Sequence, residues 1–155
     1  MTTDQKRAVG RPRHFDDESE RRLILDAAYR VMRDKSTDLT IAGVLTEAGV
    51  STRSLYRHFG SKDALLCEMY LRDGRWAAAR LTRRLAGAAT PTQAVEWWID
   101  EIFGFTRDSR RAERVSVLGS IAGSRADGVE AVAGEARQLL IEPLRSAIVA
   151  GVAEG

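Results

Sequence analysis

The sequence predicts an all-α protein, a three-helix N-terminal unit followed by longer helices. Three observations carry this. Apolar residues recur at i, i+3 and i+4 along most of the chain, no segment sustains period-two alternation, and Ser/Thr caps and glycines punctuate the periodic stretches.

The elements follow in order. Residues 1–15 lack periodicity and read as a disordered basic arm: Lys6, Arg7, Arg11 and Arg13 lie between Gln5 and Arg13 with no acid among them. Asp16-Asp17-Glu18 opens the first helix, where negative charge suits the dipole. Leu23, Ile24, Ala27, Ala28, Val31 and Met32 mark its apolar face. Asp38-Leu39-Thr40 offers an N-cap to a short second helix carrying Ile41, Val44, Leu45 and Ala48, and Gly49 ends it. Ser51 caps a third helix with Leu55 and Phe59 at i, i+4. Gly60 breaks it, and Ser61 caps a fourth.

Longer helices come next. One spans 62–87 on Leu65, Leu66, Met69, Tyr70, Trp76, Leu81 and Leu85, with Gly74 marking a bend or close packing. Pro91 at N1 starts another over 91–107, with Val95, Trp98, Ile99, Ile102 and Phe103 on its apolar face. A helix over 109–122 carries Val115, Leu118 and Ile121. A last one over 128–152 carries Val129, Val132, Leu139, Leu140, Leu144, Ile148 and Val149, with Pro143 kinking it.

Composition narrows the function. The 155 residues hold 24 Lys+Arg against 22 Asp+Glu, a net charge of +2. One cysteine, Cys67, excludes a disulfide framework, and with only His14 and His58 no four-ligand zinc site is expected without carboxylates. No signal peptide or membrane span is read, which places the chain in the cytoplasm. Gly119-Ser-Ile-Ala-Gly123 lacks the nucleophile-elbow order and no phosphate-binding loop occurs, so no enzyme, cofactor or metal is expected. The basic residues are mostly arginine, read as codon bias, so position matters more than number. The basic arm and residues 51–62 hold the excess, leaving a mildly acidic remainder.

The stretch 40–59 spells a helix-turn-helix: two short helices joined by a glycine turn, the second N-capped and polar. Gly49 permits the left-handed turn. Val50, Leu55 and Phe59 face inward, which should expose Thr52, Arg53, Ser54, Tyr56 and Arg57, the residue types that read base edges near the start of a helix lying in the major groove. Between Ser51 and Lys62, Arg53, Arg57 and Lys62 are cationic, His58 is titratable and no acid occurs, a surface suited to a phosphate backbone. Plainer readings stand beside these: Tyr56 as a packing aromatic, and Arg53, Arg57 and His58 as solvated surface groups.

At Ala48-Gly-Val-Ser51, Leu55-Tyr56, His58-Phe59, Ser61-Lys62 and Leu65 the chain resembles the TetR/AcrR family of bacterial transcriptional regulators. The resemblance is strong over about residues 20–67 and beyond them rests on helix order and length. It implies base reading by Thr52, Arg53 and Ser54. It implies phosphate or backbone contacts from Tyr56, His58, Lys62 and Thr40. The DNA-binding set is therefore Thr40, Ser51, Thr52, Arg53, Ser54, Tyr56, Arg57, His58 and Lys62. Arg11 and Arg13 join it from the arm, because Gly10-Arg11-Pro12-Arg13 resembles the AT-hook core that lies along a narrow minor groove. Ala42 and Gly43 depart from the polar residues common in relatives, and Leu45 replaces a frequent Ala at the helix crossing.

The resemblance further implies three parts: the arm over 1–15, a DNA-binding domain over 16–62 and a helical ligand-binding or regulatory domain over 63–155. Relatives continue into two dimerisation helices, so the sequence reads as a partial chain of a homodimer, with a shortened member that dimerises otherwise as the alternative. Six of the ten aromatics fall between residues 70 and 105. Trp76, Trp97, Trp98, Phe103 and Phe105 are the candidates to line a pocket for a small-molecule effector, with ordinary core packing as the alternative. The expected function is a repressor on a palindromic double-stranded DNA operator, released by a hydrophobic ligand. A DNA-binding regulator governed by a protein partner or by abundance, and a helical protein-interaction module, are the rivals.

Overall fold

The computed structural model describes residues 16–35, 39–107, 117, 119, 121 and 126–154. Six helices span them: α1 (Asp17–Lys35), α2 (Ile41–Ala48), α3 (Thr52–Phe59), α4 (Lys62–Leu85), α5 (Pro91–Arg107) and α6 (Val129–Glu154). Val117, Gly119 and Ile121 are also helical, and among the described residues there is no strand. The all-α prediction holds. Most helix ends match the sequence reading within two residues, within the usual ambiguity of fraying ends. The arm, with Arg11 and Arg13, lies outside the described residues, as do Val115 and Leu118.

Local chemistry sets the helix starts. Thr40 Oγ1 accepts from the Gly43 amide at 3.2 Å, Ser51 Oγ from Ser54 at 3.1 Å and Ser61 Oγ from Ala64 at 3.0 Å. Each hydroxyl satisfies an amide that has no partner within the helix. Gly49 turns the chain at φ 66°, where a side chain would be strained, and its amide closes on the Leu45 carbonyl.

The first core joins α1, α2, α3 and the start of α4 through Ile24, Leu25, Ala28, Val44, Leu55 and Met69. Val117, Ile121 and Val129 belong to the same cluster. The core of the N-terminal unit therefore runs past residue 62 and takes in later helices. A second core gathers Leu81, Leu85 and Ala94 with Trp98, Ile102 and Leu140. The long helix α4 belongs to both cores.

Gly43, a departure from the family pattern, sits in the crossing of α1 and α2. A Cβ there would fall 3.3 Å from Val31 Cγ1. Gly74 marks close packing: a Cβ on it would lie 2.9 Å from the Ala136 Cβ. Pro143 stands inside α6, and the helix continues on both sides of it.

The apolar faces depart from the expected ones in two places. On α5 the buried side is Ala94, Trp98, Glu101 and Ile102, whereas Ile99 and Phe103 are exposed, Phe103 at 58%. On α6, Ile148 and Val149 are exposed while Ala136 is buried. Hydrophobicity alone misjudges which side of each helix turns inward when small residues set the contact.

Candidate nucleic-acid interface

Helix α3 is fixed from below by Leu55 and Phe59, both buried in the first core. Helix α1 holds it from the side. Arg21 places its guanidinium 5.0 Å from the Phe59 ring centroid and pairs with Glu68 of α4 at 3.1 Å. Arg30 pairs with Glu47 of α2 at 2.5 Å, Asp26 with Arg72 of α4 at 3.0 Å, and the Tyr29 hydroxyl donates to the Met69 carbonyl at 2.8 Å. One helix thus ties down the three that follow it.

What remains outward is the candidate reading face. Thr52 and Arg53 are exposed, and Tyr56 is 44% exposed. Thr40 and Ser51 are exposed at the helix starts, each oxygen accepting a capping bond while the hydroxyl proton stays available to an external acceptor. Lys62 opens α4 beside the Ser61 cap and is partly exposed. Among the described residues, neither Arg53 nor Lys62 has a carboxylate partner.

Three expected members sit elsewhere. Ser54 is only 8% exposed, so its expected exposure does not hold: it occupies the inner side of α3. Its hydroxyl lies toward Glu20 and helps to hold that carboxyl below its ordinary pKa. Arg57 is exposed, but its guanidinium turns to α1, with Nη2 2.5 Å from Glu20 Oε2 and 3.3 Å from Asp17 Oδ1. The His58 side chain is 8% exposed, and its Nε2 lies 2.8 Å from the same Glu20 oxygen. Ser54, Arg57 and His58 are spaced i, i+3, i+4, so one stripe of α3 meets one carboxylate.

These donors lower the Glu20 pKa. The Ser54 hydroxyl bond acts most strongly, followed by the His58 bond, and partial burial opposes them. Asp17, Glu20 and His58 bring their polar atoms within 4.8 Å of one another, and the Arg57 guanidinium supplies positive charge among them.

Sequence reasoning missed Glu20 as part of this surface, reading the acidic start of α1 through the helix dipole alone. A signal was present. Glu20, Ile24, Ala27 and Val31 fall at i, i+4, i+7 and i+11, which puts an acid in line with the apolar stripe.

The aromatics expected to line a pocket do not converge. Trp76 is exposed, with the Arg80 guanidinium 5.9 Å from its ring centroid. Trp97 is partly buried near the turn at Gly87. Trp98 donates its indole N–H to the Leu140 carbonyl at 2.9 Å, a satisfied position in the second core. Phe103 faces outward, and the side chain of Phe105 lies outside the described residues. A groove of about 570 Å³ opens instead between α4, α5 and α6, walled by Leu85, Ala94, Leu139 and Ala147 with Thr82 and Glu142 as polar members. Small alanines leave that space. Among the described residues, no helix is long and apolar enough to cross a membrane.

Residues 24–69, running through α1, α2 and α3 into the first turns of α4, match the family model described as bacterial regulatory proteins, tetR family. No curated protein and no solved structure matches the chain. With the capped helix pair and the outward Thr52–Arg53–Tyr56 face, this match marks residues 24–69 as a TetR-type DNA-binding domain and supports a DNA-binding transcriptional regulator.

Proposed function

We propose that the protein is a repressor that binds a palindromic operator as a homodimer and is released by a small hydrophobic effector. The carrying observation is the outward face of α3: Thr52, Arg53 and Tyr56 project from a short helix, with Arg53 free of any carboxylate among the described residues. In this reading α3 lies in the major groove, and Thr40, Ser51 and Lys62 contact phosphates along its edges. Arg11 and Arg13 reach the neighbouring minor groove. The groove between α4, α5 and α6 takes the effector. Because α4 belongs to both cores, an effector that spreads α4 from α6 alters the placement of α3 and so the match to half-site spacing.

Selection of bound sites from random duplex DNA, followed by release assays with a panel of hydrophobic ligands, tests this. The expected outcome is a palindromic consensus whose half-sites lie about one helical turn, or a multiple of it, apart, with loss of binding on adding one ligand class. A non-palindromic or random pool overturns the operator reading. Retention of DNA with every ligand favours the second reading, a regulator controlled by a protein partner or by abundance, which the exposed Trp76 and Phe103 support as partner contacts.

A further inference from the structure

We infer that Glu20 is a positioning residue for sequence readout, one that sets how α3 is presented to DNA. The inference rests on the reading of α3 as the helix that enters the groove.

Helix α3 is only eight residues long and touches α1 over a short stretch. Leu55 and Phe59 bury one side of it, but apolar contacts are non-directional and tolerate rotation about the helix axis. Hydrogen bonds are directional. Glu20 of α1 supplies most of them: its Oε2 accepts from Arg57 at 2.5 Å and lies 2.8 Å from His58 Nε2, two adjacent residues of the last turn of α3. The Glu20 side chain is 18% exposed and that of His58 is 8% exposed, so water competes weakly for the bond between these two. Rotation of α3 that kept the apolar contacts would break them. Thr52 and Arg53 lie on the same short helix, so their direction toward base edges follows from the same clamp.

The clamp also sorts the cations. Glu20 and Asp17 engage Arg57, while Arg53 is left for the DNA. A carboxylate near a phosphate backbone lowers non-specific affinity, so Glu20 acts twice toward specificity, once through alignment and once through charge.

The test uses the whole chain with two probes, the duplex selected by the wild-type protein and a random-sequence duplex of equal length. Glu20→Ala and Glu20→Gln are measured against both at fixed salt, with melting curves confirming folded protein. The expected result for Glu20→Ala is at least a tenfold loss on the selected duplex with unchanged or tighter binding to random duplex. Glu20→Gln, which keeps an acceptor oxygen but no charge, should fall between the two. A reselection with Glu20→Ala should return a degenerate consensus at the positions read by α3. Equal changes on both duplexes, or an unchanged consensus, overturn the inference. If the wild-type chain selects no sequence at all, the reading of α3 as the groove helix fails instead.

Discussion

Arg84 Nη1 donates to Glu101 Oε2 at 2.7 Å, on a glutamate whose side chain is only 1% exposed. Arg80 holds the other carboxylate oxygen, so α4 and α5 meet through a buried acid and two arginines that keep about a third of their surface in solvent. The two sides of this cluster are not equivalent. Removing both arginines leaves the carboxylate buried without these cations, and Arg80→Met/Arg84→Met should cost about 3–5 kcal/mol. Glu101→Met leaves arginines that can turn to water and should cost about 1 kcal/mol or less. Urea unfolding of the three proteins checks this, and equal losses would contradict the asymmetry.

Gly74 gives a second prediction, with a built-in control. Gly→Ala inside a helix ordinarily stabilises by about 1 kcal/mol. Gly134 of α6 has open space where a Cβ would sit, so Gly134→Ala should show that gain. At Gly74 the added Cβ would meet Ala136 at 2.9 Å, and neither helix backbone yields easily. Gly74→Ala should therefore destabilise, by about 1 kcal/mol net once overpacking is set against propensity. Adding Ala136→Gly should recover part of the loss, since neighbouring sites couple. A Gly74→Ala protein as stable as the Gly134→Ala protein would mean that α4 and α6 separate at no cost.

The fold was largely legible in the sequence because caps, glycines and apolar spacing are local signals. Thr40, Ser51 and Ser61 each announced a helix start that the structure contains. The outward Thr52, Arg53 and Tyr56 were legible too, because Leu55 and Phe59 fix the inward side. Ser54 was not: it is polar, yet it lies on the inner side of α3 toward Glu20, an acid of α1 remote in sequence. Glu101 was hidden for the same reason. It falls at i, i+7 from the buried Ala94 on the inner face of α5, and only its arginine partners explain a charge there. The aromatics were candidate pocket residues because they cluster between residues 70 and 105, whereas the groove lies where side chains are small.

The lowered pKa of Glu20 makes an acid-stability prediction. Its donors, Ser54 first, favour the ionised form in the folded protein. A carboxyl group depressed in the folded state stabilises it above the ordinary value of 4.5, and that contribution is lost as pH falls through the depressed folded value. Glu20→Gln should therefore flatten the acid limb of the stability profile below about pH 5, with the two proteins converging at the lowest pH. Thermal melts across the acid range measure it. A constant offset at every pH would mean that the side chain contributes through shape and not through its charge.

Arg53 and Lys62 make the sharpest pair for DNA readout. Both are cationic, neither has a carboxylate partner among the described residues, and they sit at the starts of successive helices, α3 and α4. On the proposed docking they do different work. Arg53 lies in the first turn of the groove helix, where a forked guanidinium can take two acceptors of one guanine edge. Arg53→Ala should cost about 1–3 kcal/mol on the selected duplex and relax preference at one position of each half-site. Lys62 lies at the rim, where a point charge meets phosphate. Lys62→Ala should weaken selected and random duplexes alike and reduce the salt slope by about one unit. Titrations at several salt concentrations separate the two, because a base contact changes the ratio between duplexes and a phosphate contact changes the slope. If Arg53→Ala moved only the slope, Arg53 would be a backbone contact, and base reading would fall to Thr52 and Tyr56.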